Sequence, residues 1–409
     1  MSELPSKHLE KLIFTLIFLF PVSMGTVASA ASGILIVLLL FGLALSWSEW
    51  GRINSEEKFL CIGMVVFFCL AFLSVVNADD SAKFWSKLER LLRILAFIPI
   101  FLFLRKLSFD PLRALSLGMI AAGPVLLLAA VLTQESGRST GAYNAILFGD
   151  YAAYTSVFLI TFIALEQANL RLKAIALVAL MCALQATIMS ETRGAWLVIL
   201  VAFPILLIVY LRSIGKQSYR WQTLLIFTVA LGALVLVSLQ DTRLQSRGSL
   251  TVTELKSYID NSNLNTSVGY RFQMWRAAVV IWEKNPMIGS GLGDYSTDLQ
   301  SLMEPDEGNS WAHFGEAHNL FLEFLATTGL LGLSACLFSL FIWPLKLFLN
   351  KPKDPHCYGN LFRKTSGILL VISFVLMGLS QNWLGRSSIS SVYILFLALI
   401  LARSKPVQK

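Results

Sequence analysis

The chain is predicted to be an all-α polytopic integral membrane protein, and three observations predict it. Of its 409 residues 56% are hydrophobic and only 14% charged, against about 25% charged residues in an ordinary soluble domain. Mean hydropathy is +0.68. The apolar residues also fall in blocks of about 20, the length a helix needs to cross a hydrocarbon core of roughly 30 Å. Each block is expected to be helical, because backbone groups in hydrocarbon must find their partners within their own segment.

Twelve blocks are expected, at 10–29, 31–48, 58–76, 89–105, 112–133, 146–166, 172–190, 195–211, 221–240, 318–343, 365–381 and 387–403. They divide the chain into residues 1–240 with transmembrane helices 1–9, one large loop at 241–317, and residues 318–409 with helices 10–12. Lys7, Lys11 and the run Ala28-Ser29-Ala30 give the first block the look of a secretory leader. The second block follows at once, which favours a helical hairpin. Cys61, Cys69, Cys182 and Cys336 lie in apolar blocks and Cys357 in a connection. Without CxxC spacing they read as reduced structural thiols.

Orientation follows from the cations. With the N-terminus cytoplasmic, most of the 33 Lys and Arg residues fall on the inner side, as the positive-inside rule requires, and the loop 241–317 lies outside. The pI of about 9.2 is then a consequence of topology, so membrane lipids are expected partners and no nucleic acid is invoked.

The large loop is expected to open polar and irregular. It then becomes an amphipathic helix at RFQMWRAAVVIWEKNP, where Phe272, Trp275, Val279 and Trp282 recur at helical spacing. Pro286 ends that helix and the glycines of MIGSGLGDY make a turn. The helix either lies along the membrane–water boundary or packs on the bundle, and the pattern favours neither. Gly289, Gly291 and Gly293 are spaced GxGxG with no preceding strand, which is no nucleotide fingerprint.

Arg193 in SETRGAW, Arg138 in ESGRSTGAYN and Arg386 in QNWLGRSS fall at outer turns, and Arg271 and Arg276 on the loop helix. Singly, each reads as an orienting or snorkelling cation. Gathered in the compartment where short loops avoid basic residues, they point to an anionic ligand, since the planar guanidinium fork matches phosphate oxygens. His318 opens HNLFLEFLATTGLLG at the edge of the tenth block. A titratable imidazole at a membrane boundary, with Gly329 and Gly332 letting helices close behind it, is a candidate for proton transfer; its bland alternative is a hydrogen-bonded structural histidine. His313 lies five residues earlier, outside the i, i+4 spacing of a helical metal pair, and HExxH and DxD elements are missing. No metal or other cofactor is therefore expected.

These residues carry a resemblance. The stretch from GYRFQMWRAAVVIWEKNPMIGSGLGDY to EAHNLFLEFLATTGLLG, with SETRGAW, resembles the family of O-antigen ligases and the related O-antigen polymerases and protein O-oligosaccharyltransferases. That family's histidine motif, H followed by N or S, nine residues and GxxG, is matched by His318, Asn319, Gly329 and Gly332. The size, the twelve spans and the single large outer loop agree, so the resemblance covers nearly the whole chain. It implies a metal-independent, inverting glycosyl transfer at the periplasmic face of the inner membrane. The donor would be undecaprenyl diphosphate-linked O-antigen, the acceptor lipid A–core oligosaccharide and the product complete lipopolysaccharide. His318 would be the base, with Arg193 and Arg271 stabilising the departing diphosphate. Arg138, Arg276 and Arg386 would contact the diphosphate or an acceptor phosphate, and Asn319 would orient the site or cap a helix. The ligase branch is expected from overall similarity and from the lack of an extended soluble C-terminal region. Polymerase and protein O-oligosaccharyltransferase remain alternatives within the family. Outside enzymes, a lipid-linked glycan flippase or exporter would want charges deep in the bundle, and the blocks hold few besides Arg93 and Asp150. A structural membrane scaffold would leave the gathering of His318 and the arginines unexplained.

Overall fold

The computed structural model describes residues 5–135, 137–213, 242–260, 265–302, 314–350 and 359–402, and nearly all of them are helical. The helices are α1 (Lys7–Ser23), α2 (Ala30–Leu45), α3 (Ser55–Leu73), α4 (Ser81–Leu95), α5 (Phe97–Leu104), α6 (Pro111–Leu132), α7 (Ala145–Leu165), α8 (Leu170–Ser190) and α9 (Arg193–Ser213). After them come α10 (Thr242–Ile259), α11 (Ser267–Lys284), α12 (Tyr295–Ser301), α13 (Leu320–Cys336), α14 (Trp343–Leu349), α15 (Gly359–Gly378) and α16 (Ser387–Leu401). One two-stranded ladder interrupts them, β1 (Gln134–Glu135) against β2 (Arg138–Ser139), antiparallel with Glu135 opposite Arg138.

Among the described residues, seven helical segments are long and apolar enough to span a membrane: Ser55–Asn77, Pro111–Leu132, Ala145–Leu165, Leu170–Ser190, Arg193–Arg212, Leu320–Leu349 and Leu361–Gly378. The chain is thus an all-α polytopic membrane protein, and among the described residues seven of the twelve expected spans are full-length. The remaining blocks differ for identifiable reasons. Helices α2 and α16 are apolar but shorter, at 16 and 15 residues, and α1 has 17 residues and begins with Lys7, Glu10 and Lys11. The fourth block is two helices: α4 carries Lys83, Lys87, Arg90 and Arg93 along an amphipathic cylinder, and the wholly apolar α5, with Pro99 in its first turn, takes over after Ala96. The block at 221–240 lies outside the described residues.

Local chemistry explains the ends. Asn54 caps α3 in a reciprocal box with Glu57, Asp80 caps α4, Asp110 precedes Pro111 at the start of α6, and Asn144 caps α7; each side-chain oxygen takes a backbone N–H that the helix itself leaves unpaired. Thr155, Ser156 and Thr161 in the buried α7 return their hydroxyls to carbonyls four residues back, so polar residues enter the apolar core without orphaned donors. The core is wrapped around α7, α16 and α5, nearly all of whose side chains are buried. At the end of the bundle away from the large loop, Arg363 clamps it: Nη2 meets both Asp110 oxygens at 2.6 Å and Nη1 donates to the carbonyls of Ile400 and Ala402 at 2.6 and 2.9 Å.

The large loop is more ordered than its composition predicts. The segment expected to be irregular forms α10 from Thr242 to Ile259. Helix α11 lies where the amphipathic pattern puts it, but its buried stripe is Met274, Ala277, Ala278 and Ile281, with Phe272, Trp275, Val279 and Trp282 only half-buried. Small residues win the interface because α11 packs closely on α13, and large aromatics there would hold the helices apart.

The glycine turn after α11 is built into α13. Gly329 has φ 65° and ψ −166°, which breaks α13 in mid-course, and the freed backbone groups pair with residues 286–291. Ser290 and Gly291 donate to the carbonyls of Ala326 and Thr327 at 3.0 and 3.1 Å, while Leu330 and Leu331 donate to Pro286 and Met287 at 2.9 and 3.1 Å. A Cβ on Gly329 would sit 2.4 Å from the Met287 backbone, and one on Gly289 would sit 2.3 Å from that of Thr327. The same turn is clasped by the α3–α4 connection: Asn77 donates to the Gly289 carbonyl at 2.7 Å, and Asp294 accepts from the Asp79 and Asp80 amides at 2.7 and 3.2 Å.

Candidate active site

His318 stands just before α13, and its backbone is left-handed, with φ 48°. That conformation costs a residue with a Cβ about 1 kcal/mol or more and persists only where the surroundings impose it. They do so from both sides of the preceding residue. The Ala317 amide donates to Glu323 Oε2 at 2.6 Å, and its carbonyl accepts from Trp275 Nε1 of α11 at 3.1 Å. Asn319 follows as N-cap of α13, its Oδ1 taking the amides of Phe321 and Leu322 at 3.0 and 3.2 Å. Of the two expected roles, the structure shows the cap.

Around the imidazole, Phe314 packs edge-on with ring centroids 5.5 Å apart, and Glu316 Oε1 lies 3.6 Å from Nδ1. Arg386, the N-cap residue of α16, donates through Nη2 to that same Glu316 oxygen at 2.5 Å. Burial holds His318 below its ordinary pKa; Glu316 opposes the shift, and Arg271 and Arg386 add to it. The ring is therefore neutral around pH 7, the form that accepts a proton.

Arg271, on the first turns of α11, is largely buried. Burial lowers its pKa first, and the neighbouring Arg193 lowers it further against the pull of Glu254. Arg193 begins α9 and reaches Glu254 of α10 at 3.6 Å. Two guanidinium groups thus have one carboxylate as a common neighbour, and Arg271 is in turn a neighbour of the imidazole. An arrangement of that kind suits an anion carrying more than one charge.

The structure accordingly brings His318, Arg271, Arg193 and Arg386 into one electrostatic cluster. Arg138 stands one step back: its Nε donates to the Ser190 carbonyl at 3.1 Å, at the end of α8 and three residues before Arg193. It braces the turn that presents Arg193. Arg276 is exposed, on the face of α11 away from the buried stripe, and among the described residues it makes no ion pair with the cluster. His313 lies outside the described residues. Among the described residues, no group of three His, Cys, Asp or Glu side chains is placed to hold a metal ion.

Four participants escaped the sequence reading. Glu254 sits in the stretch taken as irregular. Glu316 is visible as the carboxylate of EAHN, two residues from the histidine. Glu323, fully buried in α13 and 3.6 Å from Lys87 of α4, is the sole carboxylate of an apolar run, and an ionisable group in such a place is a functional signal by default. Lys87 is one of four cations along α4, and nothing in its sequence setting points to this partner.

A known protein and a known family resemble this chain. Over 391 residues the chain is 24% identical to an uncharacterised protein of Haemophilus influenzae, covering 93% of this chain and 96% of that one. Residues 177–337 match the O-antigen ligase family. That stretch, similar to the O-antigen ligase family, runs from α8 through α13 and holds Arg193, Glu254, Arg271, Glu316, His318 and Glu323.

Proposed function

We propose that the protein is an O-antigen ligase, transferring a glycan from undecaprenyl diphosphate to a hydroxyl of lipid A–core oligosaccharide at the periplasmic face of the inner membrane. The observation that carries this reading is a half-buried His318 whose charged neighbours are Glu316, Arg271 and Arg386, with Arg271 in turn beside Arg193 and Glu254. The similarity of residues 177–337 to the O-antigen ligase family supports an enzyme acting on lipid-linked glycans.

In this mechanism the acceptor hydroxyl attacks the anomeric carbon from the face opposite the leaving group. As the new C–O bond forms, the bond from that carbon to the diphosphate oxygen breaks, and the electron pair leaves with the diphosphate. His318 takes the hydroxyl proton. Arg193 and Arg271 stabilise the negative charge gathering on the departing oxygens, where preorganised cations lower the barrier without having to reorganise. The donor is already activated, so no nucleotide is required at the site. Arg386 keeps Glu316 occupied and the imidazole neutral, and Arg138 stiffens the Arg193 turn.

Purified protein in nanodiscs, given an undecaprenyl diphosphate glycan and lipid A–core, tests the reading. Glycan-bearing lipid A–core, insensitive to EDTA and lost on His318→Ala, is the expected product. Lengthening of the lipid-linked donor instead would make the protein a polymerase, and transfer to a polypeptide a protein O-oligosaccharyltransferase. Movement of donor across the bilayer with no covalent product would make it a flippase or exporter.

A further inference from the structure

The geometry points to Glu323 as a positioning residue: we propose that its carboxylate sets the placement of the His318 imidazole and couples it to the turn that carries Arg386. This rests on the functional reading above for its kinetic consequence, but not for its structural one.

Six contacts carry the inference. Glu323 Oε2 accepts the Ala317 amide at 2.6 Å, the shortest route from α13 back to the peptide that precedes His318. Trp275 holds the opposite side of that residue, at its carbonyl. Lys87 of α4 lies 3.6 Å from Glu323 Oε1, and the Asn382 side chain bonds the same carboxylate. Asn382 Oδ1 also accepts the Gly385 amide at 3.2 Å, and the Gly385 carbonyl takes Arg90 Nη1 of α4 at 2.8 Å. Arg386 comes next in the chain. One buried carboxylate therefore joins the His318 peptide, α4 and the Arg386 turn, which otherwise belong to separate parts of the sequence.

The reason for a charged group at that point is physical. A left-handed histidine needs an anchor on its preceding peptide, and a carboxylate accepting a backbone N–H in a buried site makes a shorter and stronger bond than a neutral acceptor. An uncompensated buried carboxylate would be unfavourable, and Lys87 answers its remaining oxygen. The groups facing His318 directly are Glu316 from its own segment, Arg271 from α11 and Arg386 from α16; Glu323 acts on the ring only through the backbone and through the Arg386 turn.

The test reads His318 itself. Diethyl pyrocarbonate modifies neutral imidazole, and mass spectrometry of the peptide containing His318 gives its rate at each pH in the full-length protein in nanodiscs. E323L should raise that rate severalfold and move its pH midpoint, E323Q, which keeps an oxygen for the Ala317 amide, should restore most of the wild-type behaviour, and W275F should loosen the ring in the same direction as E323L. In the transfer assay E323L should lower kcat by about tenfold to a hundredfold, the scale on which a misplaced reacting group acts, with KM little changed. Unaltered His318 reactivity and pH midpoint in folded E323L would overturn the proposal. Should E323L fail to fold, the W275F/E323Q double variant, which keeps the buried volume, carries the same decision. Failure of the wild-type protein to transfer glycan, with His318 reactivity still responding to E323L, would sink the enzymatic reading and leave the positioning role intact.

Discussion

Arg386 Nη2 and His318 Nδ1 address the same atom, Glu316 Oε1, at 2.5 and 3.6 Å. The carboxylate cannot serve the two cations-to-be equally: the arginine is permanently charged and close, so the imidazole remains the junior partner and stays unprotonated. A histidine beside a carboxylate would ordinarily be drawn toward its charged form. Burial and the two arginines reverse that tendency here.

The pH profile of transfer should report this balance. His318 acts in its neutral form, so activity rises with pH through its pKa, and that pKa lies below the ordinary value. Glu316→Gln removes the one influence that raises it, so the acid limb of kcat/KM should move to lower pH. Arg386→Gln removes an influence that lowers it, so the limb should move to higher pH. The two shifts have opposite sign, and a profile unmoved by both would show that another group titrates in the assay.

The arginines should separate by burial and neighbours. Arg271→Gln or Arg193→Gln removes a cation preorganised for the leaving diphosphate and should lower kcat on the order of a hundredfold. Arg276→Gln alters an exposed side chain without a partner in the cluster, and should change stability by no more than about 0.5 kcal/mol and leave the rate near wild type. Steady-state kinetics of the three variants, with thermal unfolding in detergent, measures both quantities. Equal losses at Arg271 and Arg276 would mean that the ligand approaches from the exposed face of α11.

Glycine contacts predict a different signature. Gly289 and Gly329 lie in one backbone-to-backbone contact between the turn and the broken α13, and both have positive φ. Each Gly→Ala change combines a left-handed penalty of roughly 1–3 kcal/mol with a clash against main chain that no side-chain rotation relieves. Losses from the two should be less than additive, because both release the same contact. Gly33→Ala, where an added Cβ meets nothing within 4 Å, serves as the control and should leave the thermal midpoint unchanged or raised.

Hydrophobic blocks, helix-capping residues and the gathering of cations around His318 are legible in the sequence because each depends on neighbours within a few residues. Asn319 reads as a cap from its place before an apolar run, and the structure makes it one. What the sequence hides is pairing at a distance. Glu254 reaches Arg193 across the 221–240 block, Glu323 reaches Lys87 across more than half the chain, and neither spacing carries a signal. Helix α10 was missed for a related reason: its composition is polar, and it gains its order from packing on α11, where Tyr258 stacks on Phe272 at 4.8 Å between centroids. Gly329 looked like an aid to close helix packing. It is instead the point where a helix opens to accept another segment's backbone, which needs the turn at 286–291 to be placed first.

Asn319 offers the sharpest separation of folding from chemistry, because it adjoins His318 yet points its oxygen into the helix. Its Oδ1 satisfies two amides of α13, and Nδ2 touches the Leu379 carbonyl at 3.4 Å. Asn319→Ala should therefore lower stability by about 1 kcal/mol, the usual value of an N-cap. Asn319→Ser keeps an acceptor for the same amides and should recover most of that loss. If the cap is its whole contribution, kcat for the serine variant should stay close to wild type, measured at a temperature where both proteins are fully folded. A serine variant that is stable but slow would show instead that the Asn319 amide nitrogen contacts substrate.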